Sequence, residues 1–165
     1  MSRAFVKEDS NTPEPMLERP VSAAPNRVTE RGLELIEAEL ARLEALLPPP
    51  PADGAPEPAE LQALRRDARY WAQRRATAQV EAAPEAPATV GFATRVTVRR
   101  DGGEQILDIV GEDEADPALG RIAWTAPLTQ ALDQAEVGDE IEFEAGGRIQ
   151  AMTVLAIAPL GSTRA

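Results

Sequence analysis

Fifteen prolines, unevenly spaced, decide how this chain can fold. They crowd into residues 13–25, 48–58 and 84–87. Proline fixes φ and carries no N–H, so neither a helix interior nor a central strand runs through such a cluster. The chain is thereby divided into an arm (1–27), a middle segment (28–80), a linker (81–90), a carboxy-terminal unit (91–158) and a tail (159–165). The arm is polar and without sustained period, and reads as flexible.

In the middle segment Leu33, Ile36, Leu40, Leu43 and Leu47 recur at alternating steps of three and four, a heptad seam. Thr29 is placed to cap that helix, and Pro48 must end it. Pro58 suits the first turn of a second helix, along which Leu61, Leu64, Ala68, Trp71 and Ala78 keep the seam spacing, with Arg75 in the remaining slot. The spacing predicts helices over about 29–47 and 58–80, joined by PPPPADGAPEP into an antiparallel hairpin. Each arm of roughly 20 residues reaches about 30 Å.

Beyond the linker the period becomes two. Val96 and Val98 alternate, Asp101-Gly102-Gly103 turns, and QILDIV, RIAWT, EIEFE and RIQAMTVLAI supply further strands. Thr125, Pro127, Leu128, Ala131 and Leu132 mark a short helix. The expected class is α+β: a helical hairpin followed by a small antiparallel-sheet domain with one helix.

Composition excludes much chemistry. With no cysteine and no histidine, disulfides, thiol nucleophiles, histidine bases and the usual zinc ligands are absent. No apolar run approaches the roughly 20 residues a membrane span needs, and MSRAFVKEDS lacks a signal-peptide core, so a cytoplasmic protein is expected. A net charge of −11 argues against nucleic acid as the main partner and suits a basic or mixed protein surface. Charge is also segregated: residues 29–47 hold five acids against two bases, whereas 58–80 hold Arg65, Arg66, Arg69, Arg74 and Arg75 against Glu60 and Asp67. Those arginines are either a basic patch or partners for Glu34, Glu37 and Glu44 on the first helix.

The stretch GEDEAD (111–116) holds Glu112, Asp113, Glu114 and Asp116. It lacks the alternating order and central glycine of an EF-hand loop, which leaves a solvated loop or a protein-docking surface. Here the residues become recognisable. VGEDEADPALGRIAWTAPLTQALDQAEVGDEIEF (110–143) resembles the carboxy-terminal domain of the GreA/GreB transcription elongation factors, whose acidic loop, Ser-Pro-Leu helix start and Val-Gly-Asp turn occur in that order. VTERGLELIEAELARLEAL and RRATAQVEAAP resemble the start and end of the family's coiled coil. The resemblance implies an FKBP-like fold for the sheet domain. It also implies docking on the secondary-channel rim of bacterial RNA polymerase, on its largest subunit, through Asp113, Glu114, Asp116, Pro127 and Leu128. Ala126 stands where the family has serine.

The family tip, whose carboxylates help hold a polymerase Mg²⁺ while water cleaves backtracked RNA, belongs in a section this hairpin lacks. Asp53 and Glu57 are the only acids in the turn that replaces it. The expectation is therefore a monomeric, non-enzymatic polymerase regulator with no cofactor of its own and at most indirect contact with nucleic acid. An accessory to cleavage using Asp53 and Glu57 with the polymerase Mg²⁺ is the alternative. A prolyl isomerase, suggested only by the fold, is the remote one.

Overall fold

The computed structural model describes residues 17–162. A helical hairpin leads. Its first helix, α1 (Glu30–Leu46), is capped by Thr29, whose hydroxyl accepts from Gly32 N, and stops at Leu47 before the prolines. The second, α2 (Ala59–Thr77), follows Pro58, with Glu60 in its first turn and Arg74 and Arg75 in its last, each sign matching the helix dipole. Ile36, Leu40 and Leu43 are buried along the seam.

Two corrections concern the hairpin's flanks. The stretch 17–27, expected to be flexible, is built onto the helices, while residues 1–16 of that expected arm lie outside the described residues. Glu18 pairs with Arg69, and the Arg19 guanidinium lies 3.9 Å from the Tyr70 ring centre. The Asn26 side chain is buried and donates to Arg74 O at 2.7 Å. The helix expected to reach 80 ends at Thr77, because the chain there turns extended. Strand β1 (Arg27–Val28) pairs in parallel with β2 (Gln79–Val80), a two-stranded sheet that ties the chain entering α1 to the chain leaving α2.

The second unit is a five-stranded sheet of β3 (Thr94–Arg100), β4 (Gly103–Val110), β5 (Arg121–Ala123), β6 (Glu140–Ala145) and β7 (Arg148–Pro159), in the order β5-β4-β3-β7-β6. It was expected to be wholly antiparallel, and one edge is not: β5 runs parallel to β4. The acidic stretch makes this possible. It leaves the end of β4, passes through 3₁₀ turns at Glu112–Glu114 and Pro117–Leu119, and returns to start β5 alongside Asp108. Helix α3 (Pro127–Leu132) carries Leu132 into a core with Val96, Val98, Leu107, Ile109 and Val154. The expected linker is anchored too, since Val90 is fully buried in that core. Along β6 the burial alternates, with Ile141 and Phe143 toward the core and Glu140, Glu142 and Glu144 exposed.

Candidate functional site

The acidic loop lies against the hairpin. Asp113 receives two donors from α2: Arg74 Nε at 2.5 Å and the Tyr70 hydroxyl at 2.7 Å. Both charged side chains are nearly inaccessible, 2% for Arg74 and 6% for Asp113. Glu112 accepts from Thr125 Oγ1 at 3.1 Å and lies 3.4 Å from the same guanidinium. Glu114, buried at 5% exposure, accepts from Thr29 Oγ1 at the start of α1, with Arg31 3.7 Å away. A carboxylate at that position complements the unpaired amides and the positive end of the helix dipole. Burying Asp113 and Glu114, with Glu112 half-buried beside them, is tolerated because each has a donor or a cation from the hairpin.

Backbones also approach closely at this junction. Gly111 passes beneath β1 so tightly that a Cβ there would lie 2.6 Å from Arg27 O. The Arg27 side chain binds Glu81 through two contacts of 2.6 Å and stacks 4.6 Å from Phe92 and 5.2 Å from Trp124. Tyr70 responds to its surroundings: burial, then the Asp113 hydrogen bond, push its hydroxyl up to about 12.

Of the residues expected to face a partner, Asp113 and Glu114 therefore point into the molecule. Asp116 accepts from Ala118 N at 3.2 Å and shapes the Pro117–Leu119 turn, leaving Leu119 68% exposed. Pro127 is exposed at the first turn of α3, while Leu128 packs partly on the core. Ala126, the residue before α3, offers no side-chain cap, and Thr129 Oγ1 instead donates to Ala123 O at 2.7 Å and Ala126 O at 2.8 Å.

The five arginines do not form a patch. Arg65 is held by Glu57, Arg66 by Asp67, Arg69 by Glu18, Arg74 by the acidic loop and Arg75 by Glu37. Of the three α1 acids offered as their partners, Glu37 alone is used. In the proline turn, Arg65 grips both Glu57 oxygens at 2.6 and 2.7 Å and lowers that carboxyl's pKa. Asp53 accepts from Ala55 N within its own turn. The structure thus gives the two turn acids separate partners and does not assemble them into one site. Sequence reasoning missed Tyr70, Thr125 and Thr129 as site residues. The only signal for Tyr70 was that a lone tyrosine interrupts an arginine-rich helix.

The sequence has relatives among known proteins. Residues 85–159 match the family described as "Transcription elongation factor, GreA/GreB, C-term". A GreA from Alkalilimnicola ehrlichii is 31% identical over 140 residues, covering 73% of this chain and 89% of that protein. The chain belongs to the GreA/GreB family. A GreB from Neisseria meningitidis is 46% identical over 54 residues, 33% of this chain. That alignment spans only 30% of the Neisseria protein's length. A solved structure titled as a prokaryotic GreA/GreB factor from Nitrosomonas europaea is 24% identical, with a TM-score of 0.39 over 80% of this chain and 98% of that one. Among the described residues no helix is long and apolar enough to cross a membrane.

Proposed function

We propose that this family member is a transcription elongation regulator that binds bacterial RNA polymerase at the rim of its secondary channel through the sheet domain, which we assign to the FKBP-like class. The observation that carries the reading is the family match over 85–159, within which Asp116 holds an exposed Pro117–Leu119 turn and Pro127 stands exposed at the start of α3. In this reading Asp116, Leu119 and Pro127 meet the polymerase, and Asp113 and Glu114 set the angle of the hairpin. A clasp with two buried ion-paired side chains fixes a projecting element more firmly than a linker does.

The regulator acts by occupancy and not by chemistry of its own, as a cytoplasmic protein without cofactor. The hairpin tip offers a proline turn whose Glu57 is held by Arg65, so no carboxylate pair is preorganised to share a polymerase Mg²⁺. The five arginines are each matched to a carboxylate, which disfavours direct contact with RNA. The isomerase alternative finds no support in the aromatic residues. Phe92 and Trp124 are stacked against Arg27, while Phe143 lies elsewhere beside Arg100.

Affinity of the full chain for core polymerase tests the proposal. Binding that weakens at least tenfold on combining Asp116→Lys with Pro127→Ala supports it, since interface anchors typically contribute 1–3 kcal/mol or more. Unchanged binding by the double variant, or no binding by the parent chain, overturns it.

A further inference from the structure

The hairpin has two broad faces, and they are treated differently. Tyr70 and Arg74 turn one face of α2 toward the acidic loop, and the 17–26 stretch lies on that side through Arg19 on Tyr70 and Asn26 on Arg74 O. Two residues along a helix is a rotation of about 200°, so Ala72 and Ala76 look the other way. On that side a groove runs between the helices. Its floor is Leu33, Leu40 and Leu47 from α1 against Ala68, Ala72 and Ala76 from α2, and it opens into two adjoining hollows of about 430 and 330 Å³. Ala72 and Ala76 are exposed, and Val80 at the end of the groove is 48% exposed.

The rims of this groove carry opposite charge. Glu37 and Glu44 edge the α1 side, and Arg69 and Arg75 edge the α2 side. Arg75 Nε lies 3.1 Å from Glu37, which puts those two residues at the same height, and Glu44 and Arg69 line the same hollow. We propose that the groove is a self-association surface whose occupant is the hairpin of a second copy of this chain.

The charge pattern selects the geometry. Two copies facing each other are related by a two-fold axis lying between them. An axis across the hairpin would set each α1 on its own counterpart, acid against acid. An axis along the hairpin sets each α1 over the partner's α2, so that Glu37 faces the partner's Arg75 and Glu44 faces the partner's Arg69. Every helix then has antiparallel neighbours, the arrangement of a four-helix bundle. Alanines on α2 allow the axes to approach to about 8 Å, the close end of helix packing. The intrachain pairs at the rim are no obstacle. Arg75 and Glu37 are 58% and 47% exposed, Arg69 and its partner Glu18 57% and 64%, and exposed pairs are held loosely enough to be shared across the interface. The acidic loop, on the opposite face of α2, stays clear.

Sedimentation velocity on the full chain, over roughly micromolar to millimolar concentration, reads this directly, since an interface of modest area associates weakly. The parent chain is expected to pass from monomer to dimer in that range. Ala72→Glu, which puts a carboxylate on the floor beside Glu44, should raise the dissociation constant at least tenfold with an unchanged helical circular dichroism signal. Glu37→Arg should weaken association similarly, and adding Arg75→Glu to the same chain should restore it. A parent chain monomeric throughout, or a dimer indifferent to Ala72→Glu, overturns the proposal. Failure of Arg75→Glu to restore association overturns the two-fold arrangement.

Discussion

Replacing Arg74 with methionine removes the guanidinium at the centre of the junction and keeps much of its aliphatic volume. In the parent chain Arg74 is 1% exposed and meets Asp113 at 2.5 Å and Glu112 at 3.4 Å. The variant leaves Asp113 buried with the Tyr70 hydroxyl as its remaining donor. Removing one member of a buried pair costs about 3–5 kcal/mol, against 0–1 for an exposed pair. An upper limit operates, because once the hairpin separates from the sheet domain Asp113 is rehydrated. The loss therefore saturates at the free energy that couples the two units. The tryptophans allow this to be measured, since Trp71 lies on α2 and Trp124 follows β5. In Trp71→Phe and Trp124→Phe backgrounds, urea transitions followed by fluorescence report the sheet domain and the hairpin respectively. The parent should unfold with coincident transitions. Arg74→Met should move the hairpin transition to lower urea, away from that of the sheet domain, and Asp113→Asn in the same chain should recover part of the loss. A loss below about 1 kcal/mol with transitions still coincident would refute the reading of Arg74 as a buried interdomain clasp.

Tyr70 is the only tyrosine, so its ionisation can be followed by ultraviolet absorbance without ambiguity. The midpoint should fall near 12, and Asp113→Asn should lower it while burial keeps it above 10; a parent midpoint at 10 would contradict both the burial and the hydrogen bond. Because the folded value is raised, the stabilisation is complete below about pH 10 and is lost as pH rises toward 12. Gly111→Ala should destabilise the chain by about 1–3 kcal/mol in chemical denaturation, since its Cβ would meet Arg27 O at 2.6 Å and backbone must move. Gly32→Ala reverses the usual helix preference: alanine gains roughly 0.5–1 kcal/mol in a helix interior. Here its Cβ would stand 3.1 Å from the hydrogen-bonded Glu114 carboxylate, and a net loss of stability is expected.

The α1 seam and the alternation of β3 were legible because each follows from local period: Ile36, Leu40 and Leu43 are buried, as are Val96 and Val98. The turn glycines and the proline stops were equally plain. Strands β1 and β2 were not, since two residues show no period and their pairing is set by tertiary contact across 52 positions. The parallel edge strand was hidden for a similar reason, as its direction depends on the path of the acidic crossover. The inward aim of Asp113 and Glu114 was illegible because their partners are remote: Arg74 is 39 residues away and Thr29 is 85. Clustered acids read as solvated when no cation is nearby in sequence. One residue of helical phase mattered as well. The seam placed Arg75 inward, whereas Arg74 is buried and Arg75 is exposed, because the sheet domain draws Arg74 to its own side.

Polymerase docking and the proposed lack of cleavage support are read together by one experiment. A backtracked elongation complex carrying 3′-labelled RNA is incubated with saturating chain and Mg²⁺, then challenged with an active GreB. No short 3′ fragments should appear with the chain alone, and cleavage by the added GreB should be suppressed. Fragments released by the chain itself, or GreB cleavage proceeding at its full rate, would contradict the proposed function.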